Sequence, residues 1–379
     1  MFNDTWKSIS EIVIYGLGMV GKKYFDILRK DFSIKFIVDN SPNAPDSYKG
    51  VKVISLNELL TVREQEKIVV LASKEAFFSI RSDLEKNGLT EYEDYMRFDD
   101  FVRDWYWQVR NKNCIREVHV ATNTNCTFNC EKCNMFVPYY RSAVTYTLKE
   151  IKESLDAFFP LVDFVFVLSY LGGEPFLNCE LKDILEYTCE TYYEKVGRIE
   201  VVSNGSLIPD AETLETMKRR HILVRISDYT EHIGYQKKLE ELMHVLEEYG
   251  IEYSIEKSLG WVDFCFPHKD EELQLPIKDV RTHMLCCSPA FHGLNDGKFY
   301  YCHVAWSAEK AGLIKLREGD YIDLASYKAN AVNRRYLTEY ASGNMKSGYV
   351  SLCEQCMGCG IDNHFAIPAG KQAERLKNE

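Results

Sequence analysis

The chain lacks any apolar run long enough to cross a membrane. Stretches such as Phe164 to Leu168 fall far short of the roughly 20 residues that a spanning helix needs. Residues Met1 to Ser10 hold one lysine and no apolar core run, so no export signal is read there. Positive charge is short as well: 46 Lys and Arg stand against 57 Asp and Glu, a formal charge of -11. Such a balance repels phosphate backbones and anionic lipid, which argues against nucleic acid and membrane as partners. No low-complexity tract or solenoid repeat is visible. The expectation from these absences is a cytoplasmic globular protein. Its 379 residues suit two or three domains, and 20 Phe, 24 Tyr and 5 Trp can fill their cores.

Cysteine, by contrast, is plentiful, with thirteen in the chain. In a reducing compartment, clustered cysteines are more often metal ligands or redox groups than disulfides. Eight of them gather at positions 126/130/133, 286/287 and 353/356/359.

The order of apolar runs predicts three segments. Residues 1–100 open with a strand at Ile12–Tyr15, then Gly16-Leu-Gly18-Met-Val-Gly21 and a helical pattern over Lys22–Lys30. Further strands at Ile34–Val38 and Ile68–Ala72 predict a small parallel α/β sheet. A linker and helix near Phe101–Asn113 lead to residues 114–270. There, strand-like runs at Val118–Thr122, Phe164–Leu171, Ile199–Val202, Leu223–Ser227 and Tyr253–Glu256 alternate with helical patterns at Leu148–Phe159, Leu181–Lys195, Asp210–Arg219 and Tyr235–Tyr249. About six βα units are expected, forming a partial or full barrel. Residues 271–379 are irregular and rich in cysteine.

Cys126-Thr-Phe-Asn-Cys130-Glu-Lys-Cys133 follows the first barrel strand directly, where barrel folds place their chemistry. Three thiolates in so short a loop can ligate three irons of a cubane and leave the fourth open. The other reading is a structural zinc knuckle, with His119 as the local candidate for a fourth ligand. The spacing resembles the C-x3-C-x2-C signature of the radical S-adenosylmethionine (SAM) superfamily, and the likeness runs through roughly residues 115 to 360. It implies that a four-iron four-sulfur (4Fe-4S) cluster binds SAM through the open iron. One electron then cleaves the sulfonium to give a 5′-deoxyadenosyl radical, which takes hydrogen from an unactivated carbon. One position departs: the family usually carries an aromatic residue before the third cysteine, and here it is Lys132.

Three further motifs carry the resemblance. Leu171-Gly-Gly-Glu-Pro175 resembles the family's GGEP turn, which assigns Gly172, Gly173 and Glu174 to the SAM amino group; alone, it reads equally as a strand-to-helix turn. Ser203 and Asn204 end the next strand at the family's ribose and carboxylate position, although Asn204-Gly205 also suits a plain turn. Arg225 and Ser227 end the fourth strand, Arg225 as a carboxylate contact and Ser227 as a ribose or carboxylate contact.

In the last segment, Cys287, nine residues, Gly297, four residues and Cys302 look like the start of the SPASM or twitch extension. One auxiliary Fe-S cluster is expected, with Cys287, Cys302, Cys353 and Cys356 as ligands; Cys359 can replace one of them and Cys286 can replace Cys287. A zinc ribbon or unliganded thiols are the other readings. An auxiliary cluster would accept an electron from the substrate and give oxidation. A thiol such as Cys286, Cys359 or Cys265 returning hydrogen would instead give epimerisation.

Gly16, Gly18 and Gly21 follow a strand and open a helix, and Asp39 ends the next strand, as in a dinucleotide-binding turn. The segment resembles Rossmann-like domains attached to enzymes of polysaccharide biosynthesis. A bound nucleotide or NAD and a fold that binds nothing are both open. His283 and His303 flank the auxiliary-cluster cysteines and suit either the substrate pocket or surface and packing roles, whereas Trp306 and the Tyr300-Tyr301 pair read as core of the extension. The expectation is thus an α/β enzyme: a Rossmann-like domain, a partial (β/α)6 TIM barrel and a cluster-bearing extension. It would oxidise or epimerise a sugar, nucleotide-sugar or glycan, with a flavodoxin or ferredoxin as reductant. The alternatives are a maturase of a ribosomally made peptide and a non-catalytic metal-binding scaffold.

Overall fold

The computed structural model describes residues 4–267, 279–287, 291–360 and 363–373. The chain divides into two compact units, Met1–Cys114 and Ile115–Glu379. The barrel strands and the C-terminal cysteines share the second unit.

In the first unit, β1 (Glu11–Tyr15), β2 (Ser33–Val38), β3 (Ser47–Tyr48), β4 (Val51–Ile54), β5 (Lys67–Val70) and β6 (Tyr95–Arg97) form one sheet in the order β3-β4-β2-β1-β5-β6. All its pairs are parallel except β3 with β4. β1 and β5 are buried along nearly their whole length, as parallel strands covered on both faces should be. Helices α1 (Met19–Asp31), α2 (Leu56–Val62) and α3 (Lys74–Lys86) make the connections. The sheet grows on one side of β1 and then on the other, so strand order reverses beside the end of β1. The glycine-rich turn lies there. A Cβ on Gly21 would stand 2.0 Å from the Gly16 carbonyl oxygen, whereas one on Gly18 would meet nothing within 4 Å.

The second unit carries an eight-stranded sheet. Its strands are β7 (Cys114–Asn123), β8 (Phe164–Gly172), β9 (Val196–Ser203), β10 (Leu223–Asp228), β11 (Tyr253–Lys257), β13 (His292–Asn295), β14 (Lys298–Tyr300) and β15 (Tyr321–Asp323). A separate pair joins β12 (Gly260–Val262) antiparallel to β16 (Ala366–Pro368). Helices α4 (Leu148–Phe158), α5 (Leu181–Tyr192), α6 (Ala211–Arg219) and α7 (Gln236–Tyr249) link β7 through β11. Polar caps set where helices begin: Thr147 and Glu150 form a reciprocal capping box on α4, and Asp210 accepts the Thr213 N–H at 2.8 Å on α6. Val118, Val120, Leu168, Tyr170, Val201, Val224 and Ile226 pack into one buried core with the helices.

The strand order is β11-β10-β9-β8-β7-β13-β14-β15. Among the described residues the βα repeat therefore supplies five strands, not six, and the sheet stays open. The place beside β7 is taken by β13, which pairs parallel with it. β14 and β15 then extend the sheet antiparallel. A two-residue Asp296-Gly297 turn with φ of 54° and 67° joins β13 to β14, a tight-hairpin geometry. Gly297 thus serves the hairpin that delivers Cys302.

Gly18 and Gly21 should respond differently to alanine. Gly21→Ala must displace backbone and is expected to cost about 1–3 kcal/mol. Gly18→Ala should stay within about 0.5 kcal/mol of the parent. Denaturant unfolding of the two variants checks this.

Candidate metal centres

The loop after β7 bears Cys126, Cys130 and Cys133 and rests on the turn after β8. Gly173 N–H donates to the Asn123 carbonyl at 3.0 Å, Glu174 N–H to the Asn125 carbonyl at 2.7 Å, and the Asn123 side chain to the Glu174 carbonyl at 2.9 Å. This contact requires the two glycines. A Cβ on Gly172 or Gly173 would lie 2.1 or 1.8 Å from the carbonyl oxygens of Asn123 and Asn125, and Gly172 sits at φ 149°.

Glu174 is fully buried. Its carboxylate accepts the Ser203 hydroxyl at 2.9 Å and the Asn204 N–H at 2.8 Å, with the Phe176 N–H at 3.3 Å. Burial pushes its pKa up to about 7 despite these donors. The side chain therefore joins the ends of β8 and β9. Asn204 reaches back to the cysteine loop, donating to Thr127 Oγ1 at 2.9 Å and lying 3.5 Å from Cys126 Sγ. Thr127 meets the Ser206 hydroxyl at 2.6 Å.

N–H groups face every sulfur of the triplet. Phe128 N–H serves Cys126, and the N–H groups of Met135, Phe136 and Val137 serve Cys133. The Gln372 amide lies 3.2 Å from Cys130 Sγ. Burial nevertheless pushes Cys126 and Cys130 up to about 12, and Cys133 also rises. The three sulfurs are thus buried and already supplied with the donors that an electron-rich cluster sulfur accepts. That donor set fits an iron–sulfur cluster. Lys132 takes a left-handed conformation (φ 56°) and pairs with buried Asp263 at 2.9 Å.

Arg225 and Ser227 lie deeper in the sheet. The Arg225 guanidinium is held between Glu200 at 3.2 Å and Glu256 at 3.1 Å, and the Ser227 hydroxyl bonds the Tyr229 phenol. Arg225 belongs to a polar array on the sheet face opposite the helices. Ser169 donates to Glu200 at 2.7 Å, and His119 meets Glu117 at 2.9 Å. His119 packs edge-on to His303 at 5.6 Å. His303 is buried and its Nε2 has no hydrogen-bond partner. Burial, with His119 beside it, draws its pKa well below the usual imidazole value. The sequence leaves His303 open between the substrate pocket and packing, and it does not single out Glu117, Glu200 and Glu256. Their signal was present: polar residues at every second position in strands otherwise buried on both faces.

The remaining cysteines gather at a second place. Cys287 Sγ and Cys359 Sγ are 3.7 Å apart, and Cys359 N–H points at Cys287 Sγ at 3.4 Å. A Cβ on Gly358 would lie 2.8 Å from Cys287 Sγ. Cys302 is the residue just before α8 (His303–Lys310), and the N–H groups of Val304 and Ala305 are directed at its sulfur. It interacts electrostatically with Cys287, Cys353, Cys356 and Cys359. Gly358 N–H serves Cys356 at 3.3 Å. Cys265 neighbours Cys356, and its N–H donates to Asp263 at 2.8 Å. The contacts to this group run through Cys287, whereas Cys286 turns its carbonyl toward Gly360. Among the described residues no three His, Cys, Asp or Glu side chains converge on a single-ion position.

In the first unit, Asp39 closes on its own glycine turn. Its carboxylate accepts the Leu17 N–H at 2.8 Å and the Ser41 N–H at 2.8 Å. Burial raises its pKa, but the Ser41 and Leu17 donors together hold it below the ordinary carboxylate range. A polar cavity of about 500 Å³ lies beside it, lined by Asn40, Ser41, Ser55, Asn57, Asp83 and Asn87 among others.

Because Glu174 titrates higher in the fold than in the unfolded chain, its protonated form is the one the fold prefers. Its stabilising contribution is complete below about pH 4.5 and is lost as pH rises through about 7. Wild type measured against Glu174→Gln should therefore lose on the order of 3 kcal/mol between pH 5 and 9, read by denaturant unfolding of the cluster-free proteins.

No family model matches the chain, and no curated protein matches it. Solved structures do. Streptococcus suis SuiB bound to S-adenosylmethionine is 18% identical over 40% of this chain and 36% of its own, with a TM-score of 0.31. Native anSMEcpe with bound AdoMet is 19% identical over 37% of this chain and 43% of its own, with a TM-score of 0.31. BtrN in complex with AdoMet and 2-DOIA is 14% identical over 64% of this chain and 92% of its own, with a TM-score of 0.35. The matched region spans less than half of SuiB and of anSMEcpe, and in all three structures AdoMet is bound.

Proposed function

We propose that this chain is a radical SAM enzyme. The observation that carries the reading is the loop of Cys126, Cys130 and Cys133, with N–H donors on all three sulfurs, docked on the glycine turn at Gly172-Gly173-Glu174. Cys126, Cys130 and Cys133 would hold a 4Fe-4S cluster, which with SAM bound and one electron supplied would provide 5′-deoxyadenosyl radical chemistry for taking hydrogen from carbon. The chain's residues hold and shield. Gly172 and Gly173 bring backbone against the cysteine loop, and buried Glu174 fixes Ser203 and Asn204 at its rim. Ser203 and Asn204 are the polar groups we assign to SAM.

The substrate we assign is a sugar, nucleotide-sugar or glycan unit. The inner sheet face supports this, because Glu117, His119, Glu200, Arg225 and Glu256 offer donors and acceptors to hydroxyl groups. His303 Nε2 is a buried polar atom that a substrate hydroxyl would satisfy. The second group of cysteines we assign to one auxiliary Fe-S cluster, with Cys287, Cys302, Cys356 and Cys359 as ligands and Cys353 beside them. It would take an electron from the substrate, and a flavodoxin or ferredoxin would supply the first one. On this reading the net reaction is oxidation; hydrogen return by a thiol outside the cluster, Cys286 or Cys265, would make it epimerisation.

Anaerobic reconstitution followed by an iron count and a 5′-deoxyadenosine assay tests the assignment. Wild type should take up about eight irons, and the Cys126→Ala/Cys130→Ala/Cys133→Ala variant about four, with 5′-deoxyadenosine falling to background. A chain that binds zinc and no iron would sink the reading. The second centre is checked separately: Cys287→Ala/Cys359→Ala should lose about four irons yet still cleave SAM when reduced.

A further inference from the structure

The end of the described chain is part of the triplet's surroundings. After β16 the backbone runs as a strap along the cysteine loop. Glu131 N–H donates to the Lys371 carbonyl at 2.6 Å, and Ala373 N–H donates to the Asn129 carbonyl at 2.6 Å. Lys371 pairs with Glu131 at 2.9 Å. Cys130 and Gln372 form an antiparallel bridge. Two segments about 240 residues apart thus pair residue for residue at the middle cysteine.

Resting on the cluster reading above, we infer that Gln372 is a positioning residue of the metal centre, donating its amide N–H to the sulfur of Cys130. Its orientation is fixed by the partners. The amide oxygen accepts the Asn129 N–H at 2.8 Å, and the nitrogen donates to the Gly370 carbonyl at 2.7 Å. An N–H group can only meet an acceptor and a carbonyl can only meet a donor, so the NH2 end must face Cys130 Sγ, which lies 3.2 Å away. Cys126 and Cys133 receive backbone N–H groups from their own loop. For Cys130 the donor comes from the strap. A donor on a ligating sulfur favours the electron-rich, reduced cluster and so raises its potential.

Gln372→Glu keeps the oxygen that anchors Asn129 and loses the donor; Gln372→Met keeps the length and loses both. Each is reconstituted in the full chain, its iron counted, and the signal that responds to added SAM titrated against potential by electron paramagnetic resonance. The expected result is iron equal to wild type with a midpoint shifted to lower potential in both variants, further in Gln372→Glu, where a carboxylate faces the sulfur. Midpoints equal to wild type would overturn the assignment, as would loss of iron in both variants, which would make the strap purely structural. An iron-free wild type would instead overturn the cluster reading on which the inference rests.

Discussion

The second unit is organised by one close backbone contact. The exit of β7 and the exit of β8 approach until Gly173 and Asn125 touch, a distance that no side chain tolerates. Everything around the cysteine triplet follows from that approach. It brings Glu174 under the rim, where its buried carboxylate collects donors from β9, and so ties three consecutive strand ends to the cysteine loop. A buried carboxylate with a raised pKa is an expensive joint in free-energy terms. It is retained where its hydrogen bonds fix the position of short polar groups, here Ser203 and Asn204.

Much of this could be read from the residues themselves. Largely apolar runs of four to eight residues, broken by Gly, Asn and Asp, located β1, β2, β5 and β7 to β11, and the polar residues spaced two apart in β7, β9, β10 and β11 mark the face turned from the helices. The helices expected from Leu148, Leu181, Asp210 and Tyr235 begin at Leu148, Leu181, Ala211 and Gln236. The glycine pair at 172–173 is legible in the sequence as a close approach to a ligand, whereas in the structure it is the Asn123–Asn125 backbone that crowds both positions. Openness of the sheet was also hidden. Whether β11 meets a far edge depends on a pairing made by β13, distant in sequence and only four residues long. Register between remote short strands leaves no local pattern.

The strap was invisible for a related reason. Residues 366–373, Ala-Ile-Pro-Ala-Gly-Lys-Gln-Ala, show neither helical nor strand periodicity, and they dock through main-chain hydrogen bonds, to which side-chain patterns are blind. Lys132 was read as a departure from an aromatic position. In the structure its ammonium pairs with Asp263, whose carbonyl accepts the Asn363 amide; the same amide reaches the Gly358 carbonyl at 2.7 Å, between Cys356 and Cys359. A continuous polar chain therefore runs from the first cysteine loop to the second.

The pairing of β13 with β7 bears on how the protein can be divided. β7 is the strand from which the first cysteine loop springs, and β13 covers its outer backbone edge. A fragment stopped before residue 291 would leave that edge bare: a row of unpaired amides and carbonyls, flanked by apolar Val118 and Val120, is a template for joining another copy. The two cysteine centres cannot be separated by trimming the gene at the end of the repeat, because the shorter piece would trade an intramolecular seam for self-association.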